Sequence, residues 1–80
     1  MYNLGHFYLK GIGVEIDPVK AVKWFRRAAA FNDPQALVAL GIAYLDGVGV
    51  EKDKNRAGFH LRKAAELGSD KALQTLEENF

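Results

Sequence analysis

The side chains able to do chemistry in this chain are few. His6 and His60 are its only imidazoles and it has no cysteine. Two histidines on different predicted helices cannot complete the four-ligand shell of a structural zinc site, so no metal is expected. Ser69 and Thr75 are the candidate nucleophiles, but neither has a histidine at local spacing or the strained elbow that presents a catalytic hydroxyl. Ser69 reads instead as a helix N-cap. Glu77 and Glu78 point to different sides of a helix and do not form the facing carboxylate pair of a hydrolase. Gly11-Ile12-Gly13 begins like a dinucleotide fingerprint, yet Ile16 stands where the third glycine belongs and no strand precedes it. The expectation is therefore no enzyme, no cofactor and no catalytic, cofactor-binding or metal-ligating residue.

Charge narrows the partner classes in the same way. Lys20, Lys23, Arg26, Arg27, Arg56, Arg62 and Lys63 crowd two segments, but eleven basic residues against ten acidic ones leave a formal net charge of +1. The pI of about 8.0 falls short of a nucleic-acid footprint, and no aromatics interleave with the cations as a stacking platform requires. The basic residues read as a solvated outer face. No apolar run reaches the roughly 18 residues that span a bilayer, and the start lacks the pattern of a signal peptide. Neither nucleic acid nor membrane is expected as a partner, and the compartment is left open.

The elements that position these residues follow from an internal echo. Leu4-Gly5-His6-Phe7-Tyr8-Leu9-Lys10-Gly11-Ile12-Gly13-Val14-Glu15-Ile16-Asp17 aligns with Leu40-Gly41-Ile42-Ala43-Tyr44-Leu45-Asp46-Gly47-Val48-Gly49-Val50-Glu51-Lys52-Asp53, nine of fourteen positions being identical at an offset of 36. The same shift pairs Ala21 with Ala57, Arg26 with Arg62, Ala28-Ala29 with Ala64-Ala65, and Ala36-Leu37 with Ala72-Leu73. A period in this range marks stacked units that bury their apolar faces against each other.

Each unit reads as a helical hairpin. Apolar residues recur at spacings of three and four, as in Leu37, Leu40 and Tyr44 or Ala57, Leu61, Ala64 and Ala65, and no strand alternation is sustained. Asp17-Pro18 and Asp33-Pro34 set a carboxylate N-cap before a proline at the first helical position. Asp53 and Ser69 stand at the equivalent places. The predicted helices are 2–10, 18–31, 34–45, 54–67 and 70–79. Gly11 and Gly47 suit left-handed C-caps, and Val14 and Val50 are expected to fold back as apolar anchors of the loops. Gly5 and Gly41 lie inside helices at a cost of about 1 kcal/mol each; a repeated cost implies close helix approach, with Gly41 expected to face small residues such as Ala57 or Ala64. Met1 enters helix-like sequence with no N-cap, which gives the expectation of an N-terminally truncated first repeat.

The pattern Leu-Gly-x-x-Tyr-x-x-Gly-x-Gly-Val-x-x-Asp-x-x-x-Ala, followed by a helix carrying Ala-Ala, resembles the Sel-one-like repeat family, relatives of the tetratricopeptide repeats. It is met at Leu4, Gly5, Tyr8, Gly11, Gly13, Val14, Asp17, Ala21, Trp24, Ala28 and Ala29, and again at Leu40, Gly41, Tyr44, Gly47, Gly49, Val50, Asp53, Ala57, Ala64, Ala65 and Gly68. His60 departs from the aromatic kept as Trp24, and a partly buried packing role is expected for it; Asn32 departs from the glycine kept as Gly68, and Gly58 interrupts its helix. The resemblance implies an all-α, right-handed α-solenoid of antiparallel hairpins, five helices in all. One repeat domain covers 1–80: a first repeat at 1–33, a second at 34–69 and a further helix at 70–80.

The resemblance also implies an adaptor that acts in protein–protein interaction, with the first helix of each unit lining a concave face. Once Leu37, Leu40, Gly41 and Tyr44 go to the core, the helical period leaves Gln35, Val38, Ala39 and Ile42 on the other face. Shifting by 36 adds Tyr2, Asn3 and His6 on one side and Gln74 and Glu78 on the other. These nine residues are the expected partner-binding surface, for a peptide or helix. The alternatives are that Val38 and Ile42 simply pack against neighbouring helices, and that the units act as spacers or self-associate through their ends, where Leu4, Tyr8 and Phe80 would otherwise face water.

Overall fold

A computed structural model describes residues 1–80 as five helices and no strand: α1 (Tyr2–Lys10), α2 (Pro18–Ala30), α3 (Pro34–Asp46), α4 (Lys54–Glu66) and α5 (Asp70–Asn79). The ends fall within one residue of the sequence expectation because capping chemistry fixes them. Asp17, Asp33 and Asp53 each accept a hydrogen bond through Oδ1, from the backbone N–H of Lys20 (3.1 Å), Gln35 (3.0 Å) and Arg56 (3.1 Å). Ser69 Oγ accepts from the Ala72 N–H at 3.1 Å. Such caps contribute about 1 kcal/mol apiece.

The two long loops repeat each other bond for bond. α1 and α3 stop at Gly11 and Gly47 in the left-handed region, where the N–H groups of Gly11 and Ile12 donate to Phe7 O and those of Gly47 and Val48 to Ala43 O. Each loop then closes when its final aspartate, Asp17 or Asp53, donates its N–H to the carbonyl of Tyr8 (2.8 Å) or Tyr44 (3.0 Å). The short turns after α2 and α4 also pass through left-handed residues, Asn32 and Gly68.

Successive helices pack as antiparallel hairpins around one core. Ala21, Ala36, Ala57, Ala64 and Ala72 are wholly buried, and Leu37, Leu40, Leu61 and Val22 are its largest buried side chains. The glycines inside the first helices permit this closeness, but not by facing alanine side chains. A Cβ on Gly41 would lie 2.5 Å from Leu61 Cγ and 3.2 Å from the Ala57 carbonyl oxygen; on Gly5 it would lie 2.6 Å from Phe25 Cε1 and 3.0 Å from the Ala21 oxygen. A bulky residue of the second helix thus seats directly over the glycine of the first, and the small residue contributes only its main chain.

Loop anchoring is likewise more selective than the repeat implies. Val50 packs against the core, whereas Val14 is exposed. The cause lies at Gly49, whose position leaves no room for a Cβ because the Pro18 carbonyl of the preceding unit occupies it. The second loop rests on the start of α2. Gly13, its copy, has nothing nearby, so the first loop has no surface for Val14 to meet.

Between the units, Arg26 on α2 donates from Nη2 to Tyr44 Oη on α3 at 3.0 Å. This hydrogen bond holds the Tyr44 phenol below its ordinary pKa, against the opposing effect of burial. The eight lysines and arginines of α2 and α4, Lys54 among them, are exposed, as expected for an outer face.

Candidate partner-binding groove

The inner face of the array is a groove of about 870 Å³ lined by 18 residues, ten of them hydrophobic. Tyr2, His6, Leu9 and Lys10 of α1 form one wall. Gln35, Val38, Ala39, Ile42 and Asp46 of α3 form the middle, and the turn Leu67-Gly68-Ser69 with Lys71 of α5 forms the far side. α1, α3 and α5 supply these residues because each uses its opposite face for the hairpin: Gly41, Leu37 and Tyr44 look toward α4 while Val38 and Ile42 look away.

Six of the nine residues expected from the sequence line this groove: Tyr2, His6, Gln35, Val38, Ala39 and Ile42. Asn3, Gln74 and Glu78 are exposed but lie outside its lining. The groove closes at the turn before α5, so carrying Val38 and Ile42 forward by one period reaches beyond it. The same shift applied to Gln35 gives Lys71, which does line it. Val22 and Phe25 of α2, which the sequence expectation did not include, also contribute to the lining. Val38 is 8% exposed and Ile42 half-buried, so they pack against their neighbours and present an edge to the groove at once.

Aromatic rings order the α1 wall. Tyr2 stacks on His6 at 6.1 Å between centroids and tilts against Phe25 at 5.7 Å. Along its length the groove has an apolar stretch of Leu9, Phe25, Val38, Ala39 and Ile42 beside His6. Charge sits at the ends, as Lys10, Asp46 and Lys71, and none of the three is ion-paired, the molecule's one salt bridge being Arg56–Asp53 at 3.3 Å. No cluster of three or more His, Cys, Asp or Glu side chains converges anywhere, and no helix is long and apolar enough to cross a membrane.

A second, smaller hollow of about 310 Å³ lies on the loop side, where Arg26, Arg56 and Asp53 surround Tyr44. His60 stands behind it, half-buried, stacked on Tyr44 at 5.7 Å and 13° between planes. Its Nδ1 is buried without a hydrogen-bond partner. Burial lowers the His60 pKa, and Lys63, Arg26 and Arg56 lower it further.

Comparisons with known proteins agree with this architecture. The Sel1 repeat family model matches residues 1–30 and 34–69. No curated protein matches the chain. Among solved structures, the chain superposes on a Sel1 repeat protein from Oxalobacter formigenes with a TM-score of 0.93 at 39% identity, covering 96% of this chain and 22% of that one. It superposes on c5321, a protective antigen of uropathogenic Escherichia coli strains with an SLR fold, with a TM-score of 0.91 at 42% identity, covering 92% and 16%. For Helicobacter pylori cysteine rich protein B the TM-score is 0.87 at 34% identity, covering 92% and 56%. The chain thus spans about a sixth to just over half of the length of these proteins. With the family model covering both units and the helical hairpins matching in space, the chain belongs to the Sel1 repeat family, whose helical repeat fold is commonly used for protein–protein interaction.

Proposed function

We propose that this chain is a protein-interaction module that receives a peptide or helix of a partner protein in the groove bounded by α1, α3 and the α4–α5 turn. The observation carrying this reading is the groove's composition: a continuous apolar middle of Leu9, Phe25, Val38, Ala39 and Ile42 between charged ends. That pattern matches the anatomy of an interface, apolar at its centre and polar at its rim. The candidate contact residues are Tyr2, His6, Gln35, Val38, Ala39 and Ile42, with Leu9, Phe25 and Lys71 added by the geometry; Asn3, Gln74 and Glu78 flank it. The reading rests on shape and side-chain complementarity and gives no residue a catalytic role.

A display selection of random peptides on the immobilised chain tests it. Enriched sequences are expected to lose binding to an Ala39→Trp variant, which fills the groove from a half-exposed position, and to Ile42→Asp, each checked for an intact fold by thermal melting. Undiminished binding to both folded variants would overturn the reading.

A second reading has its own observation. Leu4 is 41% exposed, whereas its copy Leu40 is 1% exposed under α2; Phe7 is exposed and its copy Ala43 buried. The outer face of α1 thus matches in kind the face that α3 turns to the preceding unit, as in a spacer of a longer array or a self-associating end. Light scattering should then give a mass that rises with concentration, and a constant monomer mass would count against self-association.

A further inference from the structure

We infer that the outer face of α1 is a seat for an arginine-bearing second helix of another Sel1 unit, an inference that rests on the second reading above and not on the groove. The fold contains one such seat already filled. α3 packs against α2 as well as against its hairpin mate α4, whereas α1 packs against its hairpin mate α2. Leu40, Ala43 and Tyr44 of α3 are buried, while their copies Leu4 and Phe7 are exposed and Tyr8 is half-buried. What α3 has and α1 lacks is a second helix on this side, so continuity with the α2–α3 joint identifies the occupant.

Two contacts of that joint make the seat specific. Arg26 Nη2 donates to Tyr44 Oη at 3.0 Å, and Arg56 of the hairpin mate lies over the Tyr44 ring at 5.9 Å. Tyr8 keeps the second half of this arrangement, with Lys20, the copy of Arg56, over its ring at 5.2 Å. The arginine on the hydroxyl is the half left to the occupant. Charge favours it, because Glu15 and Asp17 repeat Glu51 and Asp53 while Ile16 stands where Lys52 does. Lys20 therefore faces two carboxylates at this joint, and Lys10 lies on the groove side. The second contact is the Pro18 carbonyl seated on Gly49; at Gly13 the corresponding space is open. The occupant thus presents a main-chain carbonyl at its start and an arginine at the spacing of Pro18 and Arg26. A second native copy cannot supply it, since α2 lies between α1 and α3, and α4 between α3 and α5. A Sel1 unit whose second helix no further helix covers can.

The test grafts this helix in register. A copy of residues 18–36 joined ahead of Met1 sets α2 before α1 at the offset of 36; a copy of residues 32–36 alone controls for capping and lengthening α1. The long graft is expected to melt about 5–10 °C above the short one. Leu4→Asp in both should erase that gain. Tyr8→Phe and Arg26→Gln in the grafted copy should each remove part of it, and the two together no more than either alone. Light scattering of the ungrafted chain should give a constant monomer mass. No gain, a gain that ignores Leu4→Asp, or one that survives both Tyr8→Phe and Arg26→Gln would overturn the inference. A mass rising with concentration would overturn it too, leaving the second reading as self-association, whereas no gain with a constant mass would sink both.

Discussion

Replacing Gly41 by alanine isolates the contact that sets the α3–α4 distance. In an ordinary helix interior this change is favourable by about 1 kcal/mol, because glycine costs that much relative to alanine. Here the added Cβ would meet Leu61 Cγ at 2.5 Å and Cδ2 at 2.8 Å, with the Ala57 oxygen at 3.2 Å, where carbon atoms normally rest about 3.5–4.0 Å apart. Leu61 is wholly buried and cannot swing out to solvent, so α3 and α4 must separate by about 1 Å, loosening Leu37 and Leu40 as well. Overpacking of this sort costs about 1–3 kcal/mol. Because the Leu61 contact falls about 1 Å short of the normal separation, the upper end of this range applies, and after the propensity gain is subtracted the expected net destabilisation is about 2 kcal/mol, a drop in Tm of about 8–16 °C for a domain of this size. Gly58→Ala is the internal control: its Cβ would meet only Arg62 Nη1 at 3.0 Å and Phe80 Cε2 at 3.2 Å, exposed side chains that can move, so the propensity gain should survive and Tm should hold or rise. Far-UV circular dichroism melts with urea titrations measure both. In a Leu61→Ala background the Gly41→Ala penalty should largely vanish, giving a coupling of about 1–3 kcal/mol. A Gly41→Ala protein as stable as the parent would refute the close-approach account.

The other predictions concern the link between units. Gly49→Ala should destabilise more than Gly13→Ala, because both pay the left-handed penalty of about 1–2 kcal/mol but only position 49 also collides with the Pro18 main chain; equal losses in urea titrations would show that the second loop does not rest on α2. Tyr44→Phe should cost about 0.5–1.5 kcal/mol through the lost Arg26 bond, and tyrosinate absorbance in wild type should show a phenol ionising below the ordinary tyrosine value that Arg26→Gln moves upward. His60 takes up its proton less readily folded than unfolded, where its pKa is near 6.5. As pH falls through 6.5 the unfolded chain therefore binds more protons and stability should decline, the loss growing until the lower folded pKa is reached. His60→Phe, which keeps the ring on Tyr44, should flatten the Tm difference between pH 7.5 and about pH 5; an unchanged difference would assign the pH dependence elsewhere.

The fold was legible because its signals are local. Asp-Pro and Asp or Ser caps mark helix starts within the chain segment they control, and glycine marks the ends, so the helices could be placed without knowing what they touch. What depended on neighbours was less legible. Val14 and Val50 both follow a Gly-x-Gly and precede a glutamate, yet only Val50 has Pro18 beneath its loop. Gly41 pointed to a close approach, but which atom approaches is decided by the pitch of α4, which set Leu61 and not an alanine side chain over it. The groove was half legible for the same reason. A helical wheel on α3 finds Val38 and Ile42, while Val22 and Phe25 contribute to the groove from α2, which no pattern on α3 reveals, and Gln74 and Glu78 repeat the register of α3 without repeating its surroundings.

Under the proposed groove reading, the seating of Gly49 on Pro18 bears on how ligand preference would change. That seat acts as a shim between consecutive hairpins, and the hairpins are the jaws of the groove. A residue one methyl larger at 49 would wedge the jaws open without altering any side chain that a ligand touches. Preference could thus drift through a remote joint, and a library aimed at altered recognition should randomise the joint along with the lining.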